Sequence, residues 1–203
     1  MKIKICGLSR QEDIAAVNEA RPDYVGFVFA PSRRQVDPDR AKRLKKALNP
    51  GILAVGVFVN ALAEEILPLC RAGVIDLIQL HGEENAAYIT ALKARTHAPV
   101  IRAVRVRSKA QVLRAQEIPC DYLLLDAYRK GMPGGTGEGF DWSLLPPLSK
   151  PFFLAGGIRL ETVKTAASVC PYCLDVSSGA ETGGRKDPNK IKALVRAVRE
   201  ESK

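Results

Sequence analysis

The chain has 203 residues, 46% of them apolar and 26% charged, the profile of an ordinary globular protein with length for one full core and little for two. No apolar run approaches the ~20 residues of a membrane-spanning helix, and the chain enters its first strand without a basic-then-apolar leader, so a cytoplasmic protein with one domain over residues 1–203 is expected. The net charge of +9 admits nucleic acid, an anionic surface or an anionic small substrate, but the basic residues are scattered and only 6% of residues are aromatic, so neither nucleic acid nor membrane is an expected partner.

The first eight residues, Met1-Lys2-Ile3-Lys4-Ile5-Cys6-Gly7-Leu8, alternate in the period of a short strand over residues 2–6. Cys6 closes that strand and Gly7 follows it. A thiol there either packs, as free cysteines commonly do, or faces a ligand across the glycine turn. Ser9 then reads as the cap of a helix through Ile14, Val17 and Ala20, with Glu12 three residues on as in a capping box.

Further β-like runs follow at residues 24–29, 52–59, 77–80, 100–105, 122–126, 151–154 and 173–176. Their starts lie roughly 20 to 30 residues apart, the length of a βα unit. Several are apolar on both faces, as strands of a covered parallel sheet are. Helical stretches lie between them. Asp37-Pro38 opens one whose outer face carries the basic cluster of residues 40–46; Asn60 reads as the cap of 61–72, ended by Gly73; 83–96, 108–117, the short 141–145, 160–168 and 188–201 complete the set. Eight strands alternating with eight helical segments give a compact (β/α)8 (TIM) barrel with short loops. An open doubly wound sheet is the alternative; the count of eight and the lack of G-x-G-x-x-G after the first strand argue against it.

Such a barrel keeps its active groups on the loops at the carboxyl ends of its strands. The first supplies Cys6-Gly7. The second supplies Arg33-Arg34, either a bidentate fork for a carboxylate or solvated loop charge. The fourth supplies His81, an acid, a base or an orienting group. In the sixth, Leu123-Leu124-Leu125 leads into Asp126, and a carboxyl at an apolar strand end has the environment of a general acid; pairing with a base or capping a turn is the plainer role. The loop 131–139, with five glycines in nine residues, suits close approach to a ligand or a cover. After the seventh strand comes Gly156-Gly157, after the eighth Asp175-Val176-Ser177-Ser178-Gly179. Exposed backbone N–H groups and serine hydroxyls at these two places form the recurrent phosphate site of this fold.

The five cysteines, Cys6, Cys70, Cys120, Cys170 and Cys173, are too scattered for a disulfide framework. Cys170-Pro-Tyr-Cys173 is a C-x-x-C, but it precedes a strand instead of opening a helix, which suits a thiol redox role poorly. With only His81 and His97 in the chain, a zinc site is poorly supplied.

Taken together, Lys4-Ile5-Cys6-Gly7-Leu8, Gly26-Phe27-Val28-Phe29 with Ser32-Arg33-Arg34-Gln35-Val36, Gly56-Val57-Phe58-Val59-Asn60, Gln79-Leu80-His81-Gly82, Leu125-Asp126 with Gly134-Gly135-Thr136-Gly137 and Phe140-Asp141-Trp142, Leu154-Ala155-Gly156-Gly157, and Asp175-Val176-Ser177-Ser178-Gly179-Ala180-Glu181 resemble the phosphoribosylanthranilate isomerases of tryptophan biosynthesis, in order and from end to end. Two places depart from the family: Thr162 stands where asparagine is usual, and 181–187 lacks the usual proline-glycine spelling. The resemblance implies an Amadori rearrangement of a phosphorylated, carboxylated small molecule, without metal or cofactor, by a monomer or homodimer. It implies Cys6 as general base and Asp126 as general acid. Arg34 would bind the anthranilate carboxylate, His81 and Asp175 the substrate, and Gly156, Gly157, Ser178 and Gly179 the phosphate. The related histidine-pathway isomerase would carry aspartate in place of Cys6.

Overall fold

The computed structural model describes residues 1–126, 142 and 145–201. The glycine loop 131–139 and, apart from Trp142 and Leu145, the short helix expected at 141–145 lie outside them. Eight parallel strands close into a barrel in chain order: β1 Lys2–Cys6, β2 Tyr24–Val28, β3 Leu53–Phe58, β4 Leu77–Leu80, β5 Val100–Arg105, β6 Tyr122–Asp126, β7 Phe152–Ala155 and β8 Cys173–Val176. β8 pairs with β1, with Lys4 opposite Asp175. The strand bounds fall within about a residue of those read from the pattern; several of the runs are apolar on both faces, as strands of a covered parallel sheet are.

Seven α-helices are described, α1 Gln11–Ala20, α2 Pro38–Ala47, α3 Ala63–Arg71, α4 Ala86–Lys93, α5 Lys109–Ala115, α6 Val163–Ala167 and α7 Pro188–Glu200. Asp37, Asn85, Ser108 and Asp187 cap α2, α4, α5 and α7, each accepting from a backbone N–H in the first turn. Two expected caps are wrong. α1 begins after Arg10, and Asp13, not Ser9, does the satisfying: its carboxylate accepts from the backbone N–H of both Ser9 and Arg10. α3 begins after Leu62, and Asn60 instead sits at φ 52°, where its side chain accepts from Glu83 N–H and its own N–H donates to Glu84. Asn60 thus ties the end of β3 to the loop after β4. An asparagine tolerates this left-handed turn as few other residues do.

The core has two shells. Between sheet and helices pack Ile3, Ile5, Val25, Phe27, Leu44, Ile66, Leu80, Leu174 and Leu194. Inside the barrel lie Tyr24, Val55, Leu77, Ile101, Leu124, Phe153 and Cys173, floored by Tyr122 and Tyr172. The Tyr24 and Tyr172 hydroxyls are 2.8 Å apart, with the Lys2 ammonium 5.5 and 5.7 Å from the two ring centres. The sequence Ile3-Lys4-Ile5-Cys6 is therefore inverted from the usual surface pattern: the isoleucines face the helices, and the lysines face the inside of the barrel.

At the amino end of the barrel one device recurs. Asp23, Asp76 and Asp121 stand just before β2, β4 and β6. Each accepts from the backbone N–H near the start of the preceding strand, Ile3 at 3.0 Å, Ala54 at 2.6 Å and Val100 at 2.7 Å. Each also pairs with a cation from the helix packed beyond that strand, Arg199 of α7, Lys45 of α2 and Lys93 of α4. An amide that would be left unpaired at the barrel rim is thereby satisfied. Asp23→Ala should cost about 1–3 kcal/mol, the penalty of an orphaned amide, read as a lower urea midpoint with unchanged slope.

Candidate active site

The barrel's interior turns polar toward the carboxyl ends of its strands. Lys4, wholly buried, projects from the middle of β1. Its ammonium donates to Asp175 Oδ2 on β8 at 2.9 Å and to Gln79 Oε1 on β4 at 2.7 Å. Burial alone would lower the Lys4 pKa, but the Asp175 carboxylate and the nearby Cys6 hold it above the ordinary lysine range. Asp175 Oδ1 is buried without a hydrogen-bond partner among the described residues.

Cys6 lies two residues on, on the same face of the strand, with 8% of its surface exposed. Its thiol is reached from β2 only because Gly26 stands opposite: a Cβ there would lie 2.6 Å from Sγ. Burial pushes the Cys6 pKa up; the Lys4 ammonium, with the Lys186 charge, opposes that rise, and Asp175 adds to it. Lys4 is thus the cation placed to favour the thiolate by its charge.

On β4, Gln79 Nε2 lies 3.0 Å from His81 Nδ1, and His81 Nε2 lies 3.7 Å from Asp126 Oδ2 at the end of β6. The structure therefore brings Cys6, Asp175, His81 and Asp126 to one end of the barrel.

Arg34 packs over Gly7, where a Cβ would lie 2.3 Å from its Cδ. Its Nε and Nη2 donate to the two oxygens of Glu181 at 2.7 and 3.0 Å, and Arg33 Nη2 donates to the same carboxylate at 2.6 Å. This fork leaves Nη1 of Arg34 outside the pairing with Glu181. Glu181 and Lys186 face each other across a two-stranded hairpin, β9 Glu181–Thr182 and β10 Arg185–Lys186, turned by Gly183 and Gly184 at φ 57° and 77°. Burial would raise the Glu181 pKa, but the hydrogen bonds and charges of Arg34 and Lys186 outweigh it and hold it at about 2. The departure at 181–187 therefore keeps a hairpin whose function is electrostatic, a carboxylate shared by three cations.

The loops after β7 and β8 touch. A Cβ on Gly179 would lie 2.0 Å from the Ile158 carbonyl oxygen, so only glycine lets them meet. Gly156 and Gly157 both take positive φ, and Ser178 opens a single 3-10 turn. Thr162 closes the loop after β7: its hydroxyl lies 3.1 Å from the carbonyls of Gly157 and Arg159 and 3.0 Å from the Arg159 amide. A side chain with one donor and accepting lone pairs suffices there, which explains how threonine serves at this position.

Lys4, Gln79, Glu181 and Lys186 were not singled out from the sequence. For Lys4 the signal was present: a strand that turns Cys6 inward also turns in the residue two before it. Gln79 stands in the same relation to His81.

A closed parallel barrel with a thiol, an imidazole and carboxylates gathered at the carboxyl ends of its strands defines a (β/α)8-barrel enzyme. Its family follows from sequence and fold together. The profile described as N-(5'phosphoribosyl)anthranilate (PRA) isomerase matches residues 3–197, and the chain belongs to that family. It is 47% identical over 199 residues to N-(5'-phosphoribosyl)anthranilate isomerase of Endomicrobium trichonymphae, covering 98% of both chains. Among solved structures it resembles phosphoribosyl anthranilate isomerase of Thermotoga maritima, with a TM-score of 0.86, 36% identity and coverage of 98% and 99%. A further relative, solved with reduced 1-(o-carboxyphenylamino)-1-deoxyribulose 5-phosphate, gives a TM-score of 0.83 at 34% identity, with coverage of 98% and 99%.

Two outcomes are expected. Lys4→Met strands Asp175 as an unpaired buried charge and should cost about 3–5 kcal/mol, read as a lower melting temperature; Lys4→Met with Asp175→Leu should recover most of the loss. Thr162→Val frees the Gly157 carbonyl and should raise KM for the phosphorylated substrate about threefold or more with kcat little changed, while Thr162→Ser should not, in steady-state assays.

Proposed function

We propose that this protein converts N-(5'-phosphoribosyl)anthranilate to 1-(2-carboxyphenylamino)-1-deoxyribulose 5-phosphate, the aldose-to-ketose Amadori rearrangement of tryptophan biosynthesis, with Cys6 as general base and Asp126 as general acid. One observation carries the assignment of roles: the thiol and the carboxyl stand at the ends of β1 and β6, separated around the barrel by β7 and β8, whose glycine loops meet between them.

The phosphate binds the N–H groups of Gly156, Gly157 and Gly179 and the Ser178 hydroxyl, which anchors the sugar between acid and base. The Nη1 edge of Arg34 takes the anthranilate carboxylate, its other edge being held by Glu181. Asp175 Oδ1, buried and unpaired among the described residues, accepts from a sugar hydroxyl. His81 lies beside Asp126 at the same end of the pocket.

Asp126 gives its proton to the ring oxygen. The bond from that oxygen to C1′ breaks as the nitrogen lone pair forms a C=N bond. The Cys6 thiolate then takes the proton from C2′, the electrons of that C–H bond form the C1′=C2′ double bond and the C=N pair returns to nitrogen, giving the enol-amine, which becomes the ketose as the proton of its C2′ hydroxyl is lost and C1′ gains one. No atom other than protons is exchanged with the protein. The Lys4 ammonium stabilises the thiolate needed for the second step.

We further infer a cytoplasmic enzyme, monomeric or homodimeric. Among the described residues no helix is long and apolar enough to cross a membrane, and one solved relative is a set of monomers generated from the dimeric Thermotoga maritima isomerase.

Cys6→Ala and Asp126→Asn should each lower turnover by about 10² or more without altering the circular dichroism spectrum, measured by the fluorescence loss of phosphoribosylanthranilate. Full activity in either variant removes that residue from its role.

A further inference from the structure

The polar groups inside the barrel form one chain, Asp175–Lys4–Gln79–His81–Asp126, which starts on β8 and β1, crosses to β4 and ends on β6. Its members are not interchangeable. An ammonium has three donors and no lone pair. The Gln79 atom 2.7 Å from Lys4 Nζ is therefore the amide oxygen, and the amide nitrogen must point the other way, to His81 Nδ1 at 3.0 Å. An amide nitrogen only donates, so Nδ1 accepts and carries no proton. The one proton of a neutral ring then sits on Nε2, the atom that faces Asp126 Oδ2 at 3.7 Å.

We propose that Gln79, oriented by the buried Lys4, is a positioning residue that fixes His81 as the Nε2–H tautomer, so that the imidazole presents a donor to Asp126. This rests on the assignment of Asp126 as the general acid. When Asp126 passes its proton from one carboxyl oxygen to the sugar ring oxygen, a carboxylate remains. Its other oxygen, Oδ2, accepts from His81 Nε2–H, and His81 keeps its proton throughout. The donor is in place before the charge forms, so no reorganisation is needed at that moment. The distance of 3.7 Å is longer than a hydrogen bond, and contacts of this kind tighten once substrate fills the site. Among the described residues, the other charged groups facing the cavity that His81 lines, about 540 Å³ in volume, are Glu83, Arg102, Arg105, Arg107 and Arg114; none of them competes for Nδ1, which Gln79 occupies.

The arrangement couples the two ends of the reaction. The same ammonium that favours the Cys6 thiolate also sets, through one amide, which nitrogen of His81 meets the acid.

The test reads the proton directly. Only His81 and His97 are present, so a long-range proton–nitrogen NMR spectrum of the His97→Gln variant contains one imidazole. The expected result is a neutral ring protonated on Nε2; protonation on Nδ1 overturns the proposal without any variant at the site. Gln79→Glu keeps an acceptor for Lys4 but also demands a proton on Nδ1. It should move the ring proton there and lower kcat about tenfold or more, while KM stays within about threefold. A proton that remains on Nε2 in this variant, or an unchanged kcat once the proton has moved, overturns the proposal. If Asp126→Asn is fully active while the wild-type ring carries Nε2–H, the acid assignment falls and the tautomer stands, so the two failures are told apart.

Discussion

The fixed point of this structure is a charge where a barrel ordinarily has hydrocarbon. Placing an ammonium at the middle of a packed interior carries a large desolvation penalty unless it is paired and hydrogen-bonded. Lys4 is supplied from three strands at once, its own β1, β8 through Asp175 and β4 through Gln79. Those partners lie on opposite sides of the barrel, so they converge on one atom only when the sheet is closed and each strand is in register. A slip of β1 by one residue would put Ile3 or Ile5 inside and send the lysines to the helix layer. The pairing of the buried charge and the register of β1 thus depend on each other, and the same pleat carries Cys6, the proposed general base.

A second charge system sits at the rim. Glu181 meets Arg33, Arg34 and Lys186. A lone arginine on the loop after β2 would sample many rotamers; a bidentate carboxylate removes most of that freedom before substrate arrives. The arrangement also leaves net positive charge at the mouth, which suits a ligand bearing a phosphate and a carboxylate. Lys186, held 2.9 Å from both Glu181 and the Ser177 carbonyl, links this rim to the loop after β8.

The barrel was legible from the sequence because two signals agree along the whole chain. Runs such as 100–105 and 122–126 are apolar on both faces, and the segments between them carry capping residues such as Asp37, Ser108 and Asp187 at their starts. Cys6, Arg34, His81, Asp126 and the paired glycine loops were visible because a closed parallel barrel puts every strand's carboxyl end on one face. Ser9 and Asn60 misled because local preference does not register tertiary partners. Asp13 outcompetes Ser9 by reaching two amides, and Asn60 is drawn to the loop after β4 by Glu83 and Glu84. The cross-barrel pairing of Lys4 with Gln79, 75 residues away, has no local signature; only the alternation within each strand hints that both point inward.

The aspartate clamps at the amino end have a period of two βα units. Asp23, Asp76 and Asp121 stand before the second, fourth and sixth strands, each with the same backbone amide and the same kind of helical cation. The residue before β8 is Tyr172; its N–H donates to the Phe152 carbonyl just as those of Asp23, Asp76 and Asp121 donate to Ile3, Ala54 and Val100, but it brings no carboxylate to the strand-start amide. Three of the four two-unit steps around the amino end therefore share one carboxylate device. The strands are thus tied together by these carboxylates at the end of the barrel away from Cys6, His81 and Asp126.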